Sequence, residues 1–93
     1  MRDGTMEKKL HLYVVTQMST VFDDDIEYAN IPTTVGSVGI LTGHAPMVCA
    51  VAKGSLKCRK PDGSGVVIEL GGGIAEVSNN TVTVLVSDAR ISE

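Results

Sequence analysis

The chain has 93 residues, of which 43% are hydrophobic and 20% are charged, and its formal net charge is −3. This length predicts a single domain, and the composition is typical of a globular protein. An acidic chain with two Tyr, one Phe and no Trp is not expected to bind nucleic acid, because phosphate contacts need clustered Lys and Arg and base stacking needs aromatic rings. No apolar run reaches the roughly 18–20 residues that cross a bilayer, so we expect no direct membrane insertion.

The polar N-terminus contains no apolar signal core, so export is not predicted. We expect residues 1–9 to form a flexible leader, and both Met1 and Met6 are candidates for the native start. Without export, Cys49 and Cys58 are expected to be free thiols in a reducing compartment.

Apolar and polar residues alternate with period two along much of the chain, whereas helical periodicity is weak. In the first strand this alternation places Leu10, Leu12 and Val14 on the buried face. Short strands with turn signals at roughly eight-to-twelve-residue intervals are typical of an all-β protein. We predict a two-sheet β-sandwich of about nine or ten mostly antiparallel strands. The strands bounded by turn signals are residues 10–15, 19–22, 26–31, 35–41, 47–51, 55–59, 66–70, 74–77 and 81–86.

Acidic residues, glycines and a proline mark where these strands are expected to bend or stop. Residues 23–25, all Asp, are expected to end the second strand in a solvated corner, and Pro32 to end the third strand or hold it at an edge. Gly36 and Gly39 interrupt the fourth strand and suggest a bulge or a close backbone approach. The glycine triplet 71–73 predicts a sharp corner or close packing.

Two further turn signals lie in the centre and near the end of the chain. The strands at 47–51 and 55–59 are predicted to pair as a hairpin across a two-residue turn, which would set the two cysteines opposite each other and make a disulfide geometrically feasible. Asn79 and Asn80 predict a second tight turn, because Asn tolerates positive φ.

His44 is the residue most easily interpreted as catalytic, because histidine is the commonest general base. A single histidine in a turn needs a nucleophile and an orienting group, and neither Thr42 nor Cys49 has the spacing of a known triad. We therefore expect His44 to hydrogen-bond the local backbone or to face a partner. A small hydrolase that uses His44 is the enzyme alternative.

The sequence does not predict a metal or phosphate site. Residues 23–25 with Glu27 lack the alternate-position ligands of a calcium loop, and His11, His44 and the cysteines lack zinc-ligand spacing. The glycines at 71–73 lie between two strands, whereas a phosphate cradle leads from a strand into a helix. No cofactor is expected.

Three blocks of sequence carry a family resemblance. In order they are LHLYVVT at 10–16 with VFD at 21–23, GSVGILTGHAP at 36–46, and GGGIAEV at 71–77 with NNTVTVL at 79–85. Together they resemble the epsilon subunits of F-type ATP synthases. The central block is the most specific, because a Gly-Ile-Leu-x-Gly-His-Ala-Pro string is rare by chance.

The resemblance implies an epsilon-type β-sandwich over residues 10–88, which in the family precedes a C-terminal helical hairpin. Residues 89–93 would then be a short tail where that hairpin would begin. The family also implies a non-catalytic central-stalk subunit, which binds the gamma subunit and the c-subunit ring and couples proton- or sodium-driven rotation to ATP synthesis. Such a chain would lie peripherally, at the cytoplasmic face of the bacterial inner membrane.

The same resemblance assigns interface roles to individual residues. It places Thr16, His44 and Cys49 near the gamma subunit, and Ser37 and Val38, again with His44, near the c-ring loops. Ser37 stands where the family usually has Glu, so a charge-based account of ring docking is weakened.

Two further possibilities follow from a small sandwich. An OB-like binding module is the main non-family alternative, although acidity and scarce aromatics oppose it. Uncovered edge strands also predict self-association of the isolated chain as a side reaction. The apolar run 47–51, which has no charge on either face, is expected either to be buried on both sides or to contact a partner.

Overall fold

The computed structural model describes residues 9–92, which contain ten β-strands. Within these residues no helix is long and apolar enough to cross a membrane. Every helix or strand element of residues 9–92 is a β-strand, which confirms the all-β prediction. In chain order the strands are β1 (Leu10–Val15), β2 (Thr20–Ile26), β3 (Tyr28–Thr33), β4 (Gly36–Leu41), β5 (Met47–Val51), β6 (Gly54–Arg59), β7 (Gly65–Leu70), β8 (Gly73–Ser78), β9 (Thr81–Val86) and β10 (Ala89–Ser92).

The strands form two five-stranded layers. The first layer has the order β4-β3-β6-β7-β10, and the second has the order β5-β8-β9-β1-β2. The layers join at one corner, where β3 leaves β6 and pairs Thr33 with Val51 of β5. Strands β1 and β9 run parallel, and the other pairs run antiparallel. The predicted mostly antiparallel two-sheet sandwich is confirmed.

Inward-facing side chains from both layers form one hydrophobic core. Successive side chains of a strand point to opposite faces, so alternating apolar residues supply the inner surface of each layer. Leu10, Leu12 and Val14 of β1 are fully buried, as predicted, and they meet Leu56 and Ile68 of the first layer in the same core cluster. Each such burial removes a side chain from water and contributes about 1.5–3 kcal/mol.

The hairpin predicted between β5 and β6 is wrong. Strand β5 pairs with β8 in the second layer, whereas β6 pairs with β7 and β3 in the first. The short connection between them carries the chain from one layer to the other. Consequently Cys49 lies opposite Ala75 and Cys58 opposite Val66, and both cysteines are free thiols.

The solvated corner predicted at residues 23–25 is also wrong. These three Asp residues lie inside β2, which continues to Ile26, and they pair with Tyr13, Leu12 and His11 of β1. An acidic run is compatible with a strand here because β2 is an edge strand of its layer, and charged residues are common on such edges.

Pro32, Gly36 and Gly39 do not act as predicted. Pro32 lies within β3, between the residues that pair with β6 and the residue that pairs with β5. The register of β3 with β4 is continuous, without a bulge, and a Cβ on Gly39 would meet nothing within 4 Å. Gly36 is instead required by the turn, where its φ is +118°.

The close packing predicted for the glycine triplet is confirmed. A Cβ on Gly73 would lie 2.0 Å from the carbonyl oxygen of Leu85 and 2.7 Å from the Cα of Val86. The predicted turn at Asn79 and Asn80 is also present, with φ values of 52° and 59°.

The sheet extends past the boundary expected at Asp88. Residues 89–92, expected to lie in a tail, form β10 and pair with β7 in antiparallel register. Residues 1–8 of the predicted leader and Glu93 lie outside the described residues.

Candidate partner-binding surface

The outer face of the second layer carries an exposed apolar patch. Val48, Ile74 and Leu85 are 64%, 45% and 48% exposed, and they come from the adjacent strands β5, β8 and β9. Ile74 pairs directly with Ala50 on one side and with Leu85 on the other, so the apolar surface is continuous across three strands. We call Val48, Ala50, Ile74 and Leu85 the outer apolar patch.

Strand alternation explains why these residues point outward. Their neighbours Cys49, Ala75 and Val84 pair with one another across the same three strands and pack in or against the core. The intervening residues must then face the opposite side. Leaving large apolar side chains in water forgoes about 1.5–3 kcal/mol each, and continuous exposed apolar patches commonly mark protein interfaces.

The outer face of the first layer carries more charge, although Leu41, 61% exposed, lies on it opposite Tyr28. Lys57 and Arg59 are exposed on β6, and Arg90 is exposed on β10. The guanidinium of Arg59 lies 5.4 Å from the ring centre of Tyr28, and Glu69 accepts hydrogen bonds from the Ser55 hydroxyl at 2.9 Å. This face is suited to water, so the two outer faces of the sandwich differ in chemistry.

The β1–β2 turn contains Thr16, which was predicted to lie near the gamma subunit. The Thr16 hydroxyl accepts hydrogen bonds from the backbone N–H groups of Met18 and Ser19 at 3.2 and 3.3 Å. The backbone N–H of Thr16 donates to the Ser19 carbonyl at 2.9 Å. These bonds hold the turn in a shape that leaves Met18 91% exposed. Thr16 therefore positions the turn, and Met18 is the side chain that the turn presents.

The β4–β5 loop contains His44, predicted to face both partners. The Nδ1 of His44 lies 2.8 Å from the Ala45 carbonyl, so it carries the proton and donates it. The Gly43 N–H donates to the Asn80 side-chain oxygen at 2.6 Å, which fixes the loop against the β8–β9 turn. The prediction that His44 hydrogen-bonds the local backbone is confirmed.

The β3–β4 turn lies beside Ser37 and Val38, predicted to lie near the c-ring. The Thr33 hydroxyl donates to the Gly36 carbonyl and accepts from the Val35 N–H, which closes the turn. Val35 is 91% exposed at its tip. Ser37 is exposed, whereas Val38 is half-buried and packs against the core.

The residues predicted for each interface do not form one cluster. Ser37 lies near the beginning of β4 and His44 follows its end, so a strand separates them. Thr16 lies at the end of β1 that is far from Asn80, the residue that anchors the loop of His44. Cys49 faces the interior, so its exposed neighbours on β5 are the ones available to a partner.

A second cluster on the second layer joins His11 to two Asp residues of β2. The Nδ1 of His11 lies 2.8 Å from Asp25 Oδ1, and the Nε2 of His11 lies 2.6 Å from Asp23 Oδ1. Hydrogen bonds to Asp23 and then to Asp25 raise the pKa of His11 above its usual value. From the sequence, His11 is a candidate only for a zinc ligand. Residues 9–92 contain no group of three or more His, Cys, Asp or Glu residues that could hold a metal ion.

The family described as "ATP synthase, Delta/Epsilon chain, beta-sandwich domain" matches residues 9–92. The chain belongs to this family. It is 45% identical over 84 residues to the ATP synthase epsilon chain of Prochloron didemni, covering 90% of this chain and 61% of that one. It is 39% identical over 83 residues to the chloroplastic ATP synthase epsilon chain of Medicago sativa, covering 89% of this chain and 61% of that one. The predicted family resemblance is therefore confirmed.

Solved structures of the same fold show the sandwich within larger assemblies. A chain of the Euglena gracilis mitochondrial ATP synthase, from an OSCP/F1/c-ring structure, superposes with a TM-score of 0.85 at 24% identity and covers 98% of this chain and 58% of that one. A chain of the Tetrahymena thermophila mitochondrial ATP synthase, from a central stalk/c-ring structure, superposes with a TM-score of 0.72 at 22% identity. The match covers 88% of this chain and 66% of that one. This family member spans about three fifths of the length of the epsilon chains it matches.

Large apolar residues at outward-facing strand positions are the feature of the sequence that could have predicted the outer apolar patch. Leu85 stands between the inward-facing Val84 and Val86, and Ile74 precedes the inward-facing Ala75. Continuous exposed apolar positions of this kind commonly mark protein interfaces.

Proposed function

We propose that this epsilon-type chain is a non-catalytic central-stalk component of a rotary ATP synthase, where it holds the gamma subunit and the c-subunit ring together. Ion-driven rotation of the ring would then pass through this contact to the site of ATP synthesis. The observation that carries the proposal is the outer apolar patch on one face of a sandwich that belongs to the delta/epsilon family.

The gamma subunit is proposed to cover the outer apolar patch and the exposed Met18 in the turn that Thr16 organises. Desolvating such side chains is the main source of binding energy at protein interfaces, and a few central residues carry most of it. Cys49 contributes through β5, because its inward-facing side chain holds the strand that presents Val48.

The c-ring is proposed to lie along β4, where it would contact Ser37 and Val38 beside the β3–β4 turn and, beyond the other end of the strand, His44 in the β4–β5 loop. Residues 28–52 contain no Asp, Glu, Lys or Arg, so this contact would rest on apolar and backbone groups such as the exposed Val35. The Ser at position 37 agrees with a docking mode that does not depend on charge. We therefore expect ring binding to depend weakly on salt concentration.

Torque transmission requires a stiff body, and a sandwich with one packed core would be stiff. Side chains from both layers form a single close-packed cluster, and such interiors have low compressibility. The chain would act peripherally, at the cytoplasmic face of a bacterial inner membrane or its equivalent, and the ring would determine whether the ion is a proton or sodium.

The test is to mix the chain with the gamma subunit of the same synthase and to measure binding by calorimetry. We expect a Kd below about 10 μM, typical of a specific interface. Val48→Lys should weaken binding by at least about tenfold, because it places a charge in a desolvated patch. Asn30→Lys adds the same charge to an exposed position on the first layer and should leave the affinity unchanged.

Absence of binding by the folded wild-type chain would contradict the proposal as a whole. Equal losses for Val48→Lys and Asn30→Lys would contradict the assignment of gamma to the second layer and leave the stalk role in place.

A further inference from the structure

His11 occupies a position that the stalk role does not explain. It lies on β1, and both of its ring nitrogens contact carboxylate oxygens of the neighbouring strand β2, at 2.6 Å for Asp23 and 2.8 Å for Asp25. The two Asp side chains are 55% and 39% exposed, so both are accessible to water and to ions. One imidazole thus bridges two carboxylates that are two residues apart on the same strand.

This geometry dictates the protonation state of the ring. An ionised carboxylate can only accept hydrogen bonds, and a neutral imidazole has only one N–H to donate. Both contacts are satisfied together only when each nitrogen carries a proton, that is, when the ring is an imidazolium cation. The arrangement is therefore specific to the charged form of His11.

The charges around the ring favour this form. Besides Asp23 and Asp25, the neighbouring strand carries Asp24, which pairs with Lys60 at 3.3 Å. On β1, the ring of Tyr13 lies 4.6 Å from that of His11. Lys9, just before β1, lies 4.0 Å from Asp25, and its positive charge partly offsets the effect of the carboxylates. The third neighbour, β9, contributes the uncharged Thr81 opposite His11.

We propose that His11, Asp23 and Asp25 form a protonation-dependent latch across the β1–β2 hairpin. The imidazolium ties both carboxylates to β1, and loss of one proton releases one of them. The released carboxylate would lie on the outer face of the second layer beside Tyr13, which is 36% exposed and in the same cross-strand row as Val48. The latch therefore changes the charge on the outer face of the second layer as the pH changes, at the opposite end of a row in which Thr83 and Glu76 lie between Tyr13 and Val48.

The direction of the pH effect follows from linkage. Asp23 and Asp25 raise the pKa of His11 in the folded state above its usual value of 6.5. The stabilisation is then fully present below 6.5 and is lost as the pH rises through the folded-state pKa.

The experiment is a pH titration of the full chain, uniformly labelled with ¹⁵N, following the ring nitrogens of both histidines by NMR. We expect both nitrogens of His11 to keep the chemical shifts of an imidazolium up to a titration midpoint above the usual value of 6.5. Asp23→Asn and Asp25→Asn should each lower the titration midpoint of His11 and leave the curve of His44 unchanged, because His44 donates to a carbonyl in a distant loop. Glu76→Gln removes a carboxylate from the same layer and should not move the His11 midpoint.

Two outcomes would overturn the latch. One is a His11 titration midpoint at or below 6.5; the other is a midpoint unaffected by either Asp substitution in chains whose amide spectra show the native fold. Thermal unfolding provides an independent readout: His11→Gln should reduce the loss of stability that the wild type shows above pH 6.5. An unchanged pH profile in that variant would also contradict the proposal.

Discussion

The two outer faces of the sandwich are built from the same kind of strand but have different chemistry. On the first layer, Lys57, Arg59 and Arg90 face water, whereas on the second layer Val48, Ile74 and their apolar neighbours form one patch with Glu76 at its edge. Both faces cover one core, so core packing does not explain the difference. The proposed contact with the gamma subunit would explain it, and each prediction tests whether the two faces can be separated.

The largest effect is expected in the core that the faces share. Leu12→Ala should lower the free energy of unfolding by about 2–5 kcal/mol, because it removes a fully buried side chain and leaves a cavity. Urea unfolding followed by circular dichroism measures this loss. A loss below about 1 kcal/mol would mean that β1 is not part of a tightly packed interior.

The next effect separates the two faces. Ile74→Lys should weaken binding of the gamma subunit by about 100-fold, because it lies in the middle of the outer apolar patch and a buried unpaired charge is costly there. Its stability should change by less than about 1 kcal/mol, since the side chain is exposed in the isolated chain. Calorimetry and urea unfolding on the same variant distinguish the two quantities. A large loss of stability with unchanged affinity would reverse this interpretation of the face.

The two cysteines, one in each layer, allow a smaller test of how open each layer is. Burial raises the pKa of Cys58 to about 11, so little reactive thiolate forms near neutral pH. Cys49 is only half-buried. Alkylation followed by mass spectrometry should therefore show Cys49 reacting at least about tenfold faster in the folded chain. Equal rates, or an intramolecular disulfide, would contradict the placement of β5 and β6 in different layers.

The smallest effect is expected at a turn that belongs to neither face. Asn79→Ala places an ordinary residue at φ 52° and should cost about 1 kcal/mol of stability, whereas Asn79→Gly should be nearly neutral. Gamma binding should be unchanged in both variants. Loss of affinity in Asn79→Ala alone would indicate that the interface extends to this end of the second layer.

The sequence was sufficient for features that depend on local pattern. The alternation in β1 correctly predicted which side chains enter the core, and the Asn pair correctly predicted a turn with positive φ. It failed at residues 23–25, because three consecutive Asp residues have a turn-like composition. They are accommodated in a strand by their position on a layer edge and by the contacts of His11, neither of which is a local property.

Features that depend on layer assignment could not be predicted. The two-residue connection at 52–53 fits a hairpin and a crossing between layers equally well, so the pairing of β5 with β8 was missed. The extension of the outer apolar patch to β5 was missed for the same reason. The pairing of Ile74 with Leu85 follows from the predicted turn at Asn79 and Asn80, but Ala50 joins them only when β5 pairs with β8. The resemblance predicted the family, but its interface residues were transferred one by one and do not form one cluster.

The parallel pairing of β1 with β9 has a consequence for how the chain acquires its structure. Strand β1 lies between β2, its neighbour in sequence, and β9, which begins some seventy residues later at Thr81. The β1–β2 hairpin can therefore form early but can take its place in the second layer only after nearly all the chain is available. Folding dominated by such distant contacts is slow. During synthesis the apolar side of this hairpin would stay partly exposed to water until β9 has been made and pairs with β1.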